Sequence, residues 1–327
     1  MKTSRRVIQW AGLVALVALG AWYVTGHAGE LRQIRAFQPA YLAPLIGVHL
    51  AALALNGWMN RKLVAELGPR LRVVEWYGLA AVNALANYLP LPQAGAAVRG
   101  AYLKRLHGLS YRHYAATVLF TYVLTFVLIG LVGLLGLAYV QAHGGRISPW
   151  LWVVFVGMAS LALLLVPGVT RLVPTGRWLG AFIEGYRALG SAGTIAQIVF
   201  WKLTLIAVNA TGLWLAYRSI GRPAPWAGAL LVSLTATASG VANVTPGNAG
   251  TAEAAAWVCA RWVGSDADLA VTVYLVYRLT AALVIFSLGP VFVIVLNSRL
   301  GSGDVGRASP AREPQFQPTP DEPASEA

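Results

Sequence analysis

Long apolar stretches separated by short polar connections dominate the first 300 residues of the chain. Six of them run for about 18 residues or more with few charges, which is enough to cross a hydrocarbon core of about 30 Å. They lie at about 7–24, 40–58, 114–140, 149–167, 194–217 and 270–297. This pattern predicts an all-α polytopic membrane protein with about six full transmembrane helices.

Two further apolar stretches, at about 76–98 and 227–256, are interrupted by proline and glycine. A chain leaves regular helix at membrane depth only where the freed backbone groups contact protein or a water-filled cavity. We therefore expect two broken or re-entrant helical segments. If both are re-entrant, 17 loop Lys and Arg fall inside and 6 outside, whereas two full crossings divide them almost evenly. The positive-inside rule favours re-entry, with both termini cytoplasmic.

Composition narrows the function classes. The chain is 57% hydrophobic and 11% charged, against about 25% charged in soluble domains. The net charge is +13, and the basic residues lie mainly in the short loops between the apolar stretches, as membrane orientation requires. Nucleic-acid binding is therefore not expected. The chain has one cysteine and five histidines without ligand spacing. We therefore expect no intrachain disulfide, no metal site and no cofactor. Without a recognisable nucleophile motif or carboxylate pair, we expect no catalytic residues and no enzyme.

Residues 1–300 form the predicted transmembrane domain, and 301–327, rich in Pro, Ser and Glu, are expected to be disordered.

A weak internal repeat links the two interrupted stretches. Segments 83–122 and 239–278 align without a gap at an offset of 156 residues. Asn87, Pro90, Ala96, Arg105 and Gly108 then fall on Asn243, Pro246, Ala252, Arg261 and Gly264. Paired helix breaks in inverted repeats indicate a binding site near the bilayer midplane. A chance match in an alanine-rich chain is the alternative.

The second interruption, "NVTPGNAGTAE", carries most of the candidate chemistry. Thr245 followed by Pro246 predicts a helix N-terminus there, whose free amides would favour a phosphate. Gly247 and Gly250 allow close backbone approach. A kink that merely bends a packed helix is the alternative.

Glu253 lies two predicted helical turns beyond the proline, and Arg278 lies in the last span. A carboxylate near the bilayer centre is costly and should face a cavity or a cation. We expect the two side chains to pair or to engage a substrate in turn, and expect that reversing both charges would restore folding but not transport. Alternatively, Arg278 extends to the interface and Glu253 is protonated and inert.

Four further polar residues adjoin the apolar segments. Arg99, after the first interruption, is a candidate contact for a lipid phosphate at the cytoplasmic face, or one more positive-inside arginine. Asn87 and Asn243 each precede a helix break by three residues, although buried amides more often bond neighbouring helices. Lys202 is expected to reach the cytoplasmic interface.

These residues resemble the flippase-like membrane family named after the transmembrane region of lysylphosphatidylglycerol synthase, over roughly residues 5–300. Its late Thr-Pro-Gly-x-x-Gly-x-x-Glu motif is matched in full, with Arg278 beyond it. Its early motif is matched at Pro90, Gly95 and Arg99, but Ala96 replaces the glutamate. Tyr122 and Thr125 stand where members often carry an arginine and an acid.

The resemblance implies lipid handling, with a membrane lipid as the partner. We expect a flippase or transporter that moves a phospholipid or polyprenyl-linked glycolipid. The alternative is a non-transporting accessory subunit of envelope lipid or glycan assembly. Lysyl transfer is not expected, because no soluble aminoacyltransferase domain is recognisable.

Overall fold

The computed structural model describes residues 37–89, 91, 93–165, 192–242 and 245–301. The first predicted span, Pro90, Asn243 and the predicted tail therefore lie outside the described residues. Every regular element within these ranges is helical. The α-helices are α1 (Leu42–Glu66), α2 (Val73–Ala86), α3 (Ala94–His107), α4 (Tyr111–Ala142), α5 (Pro149–Ser160), α6 (Ala192–Ser219), α7 (Trp226–Ala242), α8 (Thr251–Trp262) and α9 (Ala267–Gly301). Short 3-10 turns occupy Pro39–Tyr41, Leu161–Leu165 and Pro246–Asn248.

Four helices in the described ranges are long and apolar enough to cross a membrane, namely α1, α4, α6 and α9. They coincide with four of the six predicted spans. The predicted span at 149–167 begins with α5, which has 12 residues and passes into a 3-10 turn. The fold class, an all-α polytopic membrane protein, is confirmed.

Each interrupted stretch folds as a helical hairpin. In hairpin 1 (73–107), α2 packs against α3, and in hairpin 2 (226–262), α7 packs against α8. The arms α2 and α3 have 14 residues each, or about 21 Å of helix, which is shorter than the hydrocarbon core. The chain therefore turns back on itself at each interruption instead of continuing across.

The two hairpins open toward opposite ends of the molecule. At the base of hairpin 1, Glu75 lies 3.4 Å from His107 and 3.9 Å from Arg299, which is near the C-terminal end of α9. The base of hairpin 2, at Trp262, is followed closely by the N-terminal end of α9 at Ala267. Because α9 has 35 residues and is about 52 Å long, these bases are far apart. The hairpins enter the bundle from its two sides.

Close helix packing holds hairpin 1 in place between α1 and α9. A Cβ added at Gly57 of α1 would lie 2.6 Å from the ring of Trp76, and one at Gly289 of α9 would lie 2.8 Å from Leu85. Small residues let membrane helices approach closely, and van der Waals contact is then the main source of attraction between them. Helix α2 is thus held by close contact with α1 near the base of hairpin 1 and with α9 near its tip.

Candidate functional site

The tips of the two hairpins meet at one backbone hydrogen bond. The Gly247 amide donates to the Asn87 carbonyl at 2.7 Å, and Asn87 is the residue that ends α2. Its side-chain oxygen accepts a second bond from the Gly95 amide at 3.0 Å, in the first turn of α3. Asn87 therefore joins both arms of hairpin 1 to the tip of hairpin 2. This contact defines the hairpin junction, the set of residues around Asn87 and Gly247.

Gly247 is suited to this position by its backbone and by its lack of a side chain. Its φ is 56°, in the left-handed region that L side chains rarely adopt. A Cβ there would lie 2.8 Å from the ring of Tyr88. Tyr88 is itself buried and packs edge-on against Phe286 of α9, with ring centroids 5.0 Å apart. Sequence reasoning did not single out Tyr88.

Arg278 of α9 reaches the same junction with its guanidinium. It donates hydrogen bonds to the Gly247 carbonyl, to the Glu253 carboxylate and, at 3.2 Å, to the Asn248 carbonyl. A helix break leaves carbonyls without intrahelical partners, and in a membrane these groups must be satisfied within the protein. Here the Arg278 guanidinium satisfies two consecutive backbone carbonyls and a carboxylate.

Glu253 caps the start of α8 in addition to pairing with Arg278. Its second carboxylate oxygen accepts from the Gly250 amide at 2.8 Å, as a glutamate does in the third position of a helix. The side chains of Arg278 and Glu253 are 6% and 13% exposed. The Arg278 side chain therefore lies inside the bundle and pairs with Glu253 instead of extending to the interface. A functional role for the pair stays a prediction.

The helix start predicted at Thr245 and Pro246 lies elsewhere. Pro246 opens only a three-residue 3-10 turn, and α8 begins at Thr251 after Gly250. The reason is that Gly247, Asn248 and Gly250 have φ values of 56°, 59° and 82°, which a right-handed helix cannot include. Glu253 is consequently in the first turn of α8. It occupies the helix N-terminus at which a phosphate was expected.

Two buried polar atoms at the hairpin junction have no hydrogen-bond partner among the residues that the structure describes, namely Thr245 Oγ1 and Asn248 Oδ1. The Asn248 side chain is otherwise oriented by its amide nitrogen, which donates to the Gly240 carbonyl at 3.3 Å. Buried polar groups in native proteins are nearly always paired with protein, water or ligand. The junction thus retains unused hydrogen-bonding capacity beside an ion pair.

The sequence model of a family described as "Lysylphosphatidylglycerol synthase TM region" matches residues 9–289. The chain belongs to this family. The matched region contains both hairpins and Arg278, so the junction lies within the part that identifies the family. The family relates to the handling of membrane lipids. No curated protein matches the chain.

Arg99, another candidate, does not reach the junction of this family member. Its Nε donates to the Tyr114 hydroxyl at 2.5 Å, and the guanidinium lies 5.5 Å from the centroid of the same ring. Lys202, expected to reach the cytoplasmic interface, is 9% exposed in α6, and its depth in the membrane stays a prediction. Tyr122 donates to the Gln93 side chain at 2.6 Å, which ties α4 to the tip of hairpin 1.

A cavity of about 410 Å³ lies between α5, α7 and α8, on the side of hairpin 2. Its lining is almost entirely apolar and includes Met158, Ala238, Ala254 and Val258. Ala254 follows Glu253 directly in the chain. An apolar space therefore adjoins the helix that carries the buried carboxylate.

Within the described ranges, no three His, Cys, Asp or Glu side chains are grouped so that they could hold a metal ion. The expectations of no cofactor and no catalytic residue stay predictions, as does the internal repeat. Gly108 and Gly264, which the offset of the repeat aligns, both follow the second arm of a hairpin and have φ values of 68° and 69°.

Proposed function

We propose that this protein is a lipid flippase or transporter that moves a phospholipid or polyprenyl-linked glycolipid across the bacterial inner membrane. The hairpin junction would receive the polar head group. The observation that carries the proposal is the meeting of two opposed hairpins at a buried Arg278–Glu253 pair. Ionisable residues inside membranes and paired helix breaks are both associated with substrate pathways.

The geometry supports a mechanism of exchange at Arg278. A head-group phosphate would compete with Glu253 for the guanidinium, since arginine binds carboxylates and phosphates through the same donors. The carbonyls of Gly247 and Asn248 would keep the guanidinium at the junction while Glu253 is displaced. Thr245 Oγ1 and Asn248 Oδ1 would bond head-group hydroxyls, and the apolar cavity beside α8 would receive part of an acyl chain.

Translocation in proteoliposomes tests this proposal. The purified chain would be reconstituted with a fluorescently labelled anionic phospholipid or polyprenyl-linked glycolipid, and reduction by external dithionite would report lipid that reaches the outer leaflet. Glu253→Gln and Arg278→Gln should each abolish the protein-dependent phase. Arg261→Gln and Asp268→Asn remove similar charges at exposed positions and should leave it unchanged.

The alternative is a non-transporting accessory subunit of envelope lipid or glycan assembly. One observation favours it, namely that Arg278 is fully engaged by Gly247, Asn248 and Glu253, as in a purely structural joint. Wild-type protein that translocates none of these lipids would support that role and contradict transport. We also propose that the chain is not an enzyme; product formed from lipid donors and acceptors by the purified protein would refute this.

A further inference from the structure

Three tryptophan rings from three helices meet near the C-terminal end of α1. Trp58 of α1 packs edge-on against Trp76 of α2 and Trp201 of α6, with ring centroids 5.9 and 6.5 Å away. Gly57 allows this approach, because a Cβ there would lie 2.6 Å from the Trp76 ring. We call these three rings the indole cluster. Trp76 is in the first turn of α2, so the cluster lies near the base of hairpin 1.

Two basic side chains of α1 lie over the face of Trp58. The Arg61 guanidinium is 4.7 Å and the Lys62 ammonium 5.9 Å from the ring centroid. They follow Trp58 by three and four residues, which places all three side chains on one face of the helix. Among the described residues, neither cation has a hydrogen bond or an ion pair. This α1 cation pair therefore keeps its N–H donors available.

The indole cluster also holds two buried N–H groups that lack an acceptor. Nε1 of Trp58 and Nε1 of Trp76 have no hydrogen-bond partner within the described part of the chain. Two other indoles are satisfied, since Trp257 donates to Asp268 at 3.3 Å and Trp226 to Thr211 at 3.4 Å. An indole N–H can only donate, and when buried it usually finds a partner. An acceptor supplied by a ligand is therefore expected at the cluster.

The nearest carboxylates along the chain do not supply this acceptor. Glu66 lies one helical turn beyond Lys62, and its carboxylate accepts from the Thr194 hydroxyl at 2.8 Å. Glu75, next to Trp76, accepts from the Tyr102 hydroxyl at 3.1 Å. Neither acid is ion-paired to the α1 cation pair. The groups around the Trp58 ring are thus cations and donors, a set that suits an anion with several acceptor oxygens.

The position of the cation pair along α1 suits a lipid head group. Helix α1 has 25 residues and is about 37 Å long, so about 4 Å at each end extends beyond a centred hydrocarbon core of about 30 Å. Arg61 and Lys62 lie about 6–8 Å before the helix end at Glu66. Long basic side chains at this level extend to the head groups, and tryptophan is enriched there.

We infer that the α1 cation pair and the indole N–H groups of Trp58 and Trp76 form a binding site for the phosphate of an anionic membrane lipid. The site is separate from the hairpin junction and does not depend on the proposed transport function. The cations would bind phosphate oxygens, and the indole N–H groups would donate to phosphate or ester oxygens. Because Trp58 belongs to α1 and Trp76 to hairpin 1, a bound lipid would also fasten the hairpin to the bundle.

Native mass spectrometry of the purified full-length chain, which counts bound lipids, tests this inference. The ligand would be dioctanoyl phosphatidylglycerol, with dioctanoylglycerol as the matched lipid without phosphate. The double variant Arg61→Gln with Lys62→Gln should weaken phosphatidylglycerol binding by roughly tenfold or more, as expected for lost charge-assisted contacts. Trp58→Phe and Trp76→Phe keep an aromatic ring and remove the N–H, and each should weaken binding by roughly two- to tenfold.

Three control variants separate this site from general effects of charge or of tryptophan. Lys104→Gln removes a cation that lies 4.4 Å from the Tyr111 ring, on α3 of the same hairpin base, and should leave binding unchanged. Trp257→Phe removes an indole N–H that already has an acceptor, and should also have no effect. Arg278→Gln changes the hairpin junction alone, so lipid bound at the indole cluster should be retained.

Thermal unfolding and competition complete the test. Phosphatidylglycerol should raise the Tm of the wild type, and this increase should be lost in the double cation variant. Displacement of the lipid by an equal concentration of inorganic phosphate would contradict a lipid site, and the absence of displacement would support it. Equal binding of dioctanoylglycerol, an unchanged phosphatidylglycerol affinity in the double variant, or an equal loss in Lys104→Gln would overturn the inference.

The site and the proposed function fail separately. Wild-type translocation together with normal lipid binding by the double cation variant would refute the site and leave transport standing. Lipid binding that depends on the cation pair, in a protein that translocates no lipid, would do the reverse.

Discussion

Removing either member of the buried Arg278–Glu253 pair should have unequal effects on stability. Arg278→Met removes every hydrogen bond that the guanidinium makes at the junction, and leaves the Glu253 carboxylate buried without a cation. Glu253→Gln is milder, because the single amide oxygen can still accept from one of the two donors, the Gly250 amide or Arg278, and no buried charge is left unpaired by a missing cation. The guanidinium also keeps both of its carbonyl acceptors.

The magnitudes follow from burial. With side chains 6% and 13% exposed, loss of the cation should cost about 3–5 kcal/mol of the free energy of unfolding, as for other broken buried pairs. Glu253→Gln should cost about 1.5–3 kcal/mol, the contribution of the one charge-assisted hydrogen bond that is lost. In the double variant Arg278→Met with Glu253→Gln, no unpaired carboxylate remains, so it should be more stable than Arg278→Met alone.

The free energy of unfolding would be measured by SDS titration in mixed micelles, followed by tryptophan fluorescence from the 12 tryptophans of the chain. Arg261→Gln, at an exposed position on α8, is the matched control and should be neutral. If Arg278→Met and Glu253→Gln lower stability equally, or if the double variant is the sum of the two, the pair is not coupled and the reasoning fails.

The structure also changes the expected result of reversing both charges. Arg278 bonds two backbone carbonyls as well as Glu253, and a glutamate at position 278 would face those carbonyls with no donor. An arginine at position 253 would in turn lose the cap on the Gly250 amide. The double reversal should therefore remain about as unstable as Arg278→Met, and recovery of wild-type stability would show that only charge complementarity matters.

Two further predictions address the hairpins. Gly247→Ala should lower the free energy of unfolding by about 1–3 kcal/mol, because position 247 has a positive φ and an added Cβ would meet Tyr88. Gly157→Ala, at a helical position with open space, is the control and should be neutral or stabilising. Equal effects of the two substitutions would contradict the tight junction. In a Cys259→Ser background, cysteines at Lys104 and Ser265, near the two hairpin bases, should react with impermeant maleimide from opposite sides of the membrane; labelling from one side would contradict the opposed hairpins.

The sequence by itself determined the class of the protein, four of its six predicted spans and the approximate positions of the two breaks. These are local properties: apolar length decides whether a helix can cross a bilayer, and proline and glycine decide where it stops. The interruptions at 87–93 and 243–250 follow from such residues, and the Glu253 motif was visible in its spacing.

Only the tertiary structure decided which groups meet. Asn87 and Gly247 are 160 residues apart, and nothing in either segment specifies that one accepts a bond from the other. Arg278 reaches Gly247, Asn248 and Glu253 from a different helix, and the burial of Lys202 depends on how α6 packs in the bundle. A break in a helix shows from the sequence that some backbone groups need new hydrogen-bond partners. Which groups become those partners depends on the packing of helices that are distant in sequence, because hydrogen bonds and ion pairs act only over a few ångströms.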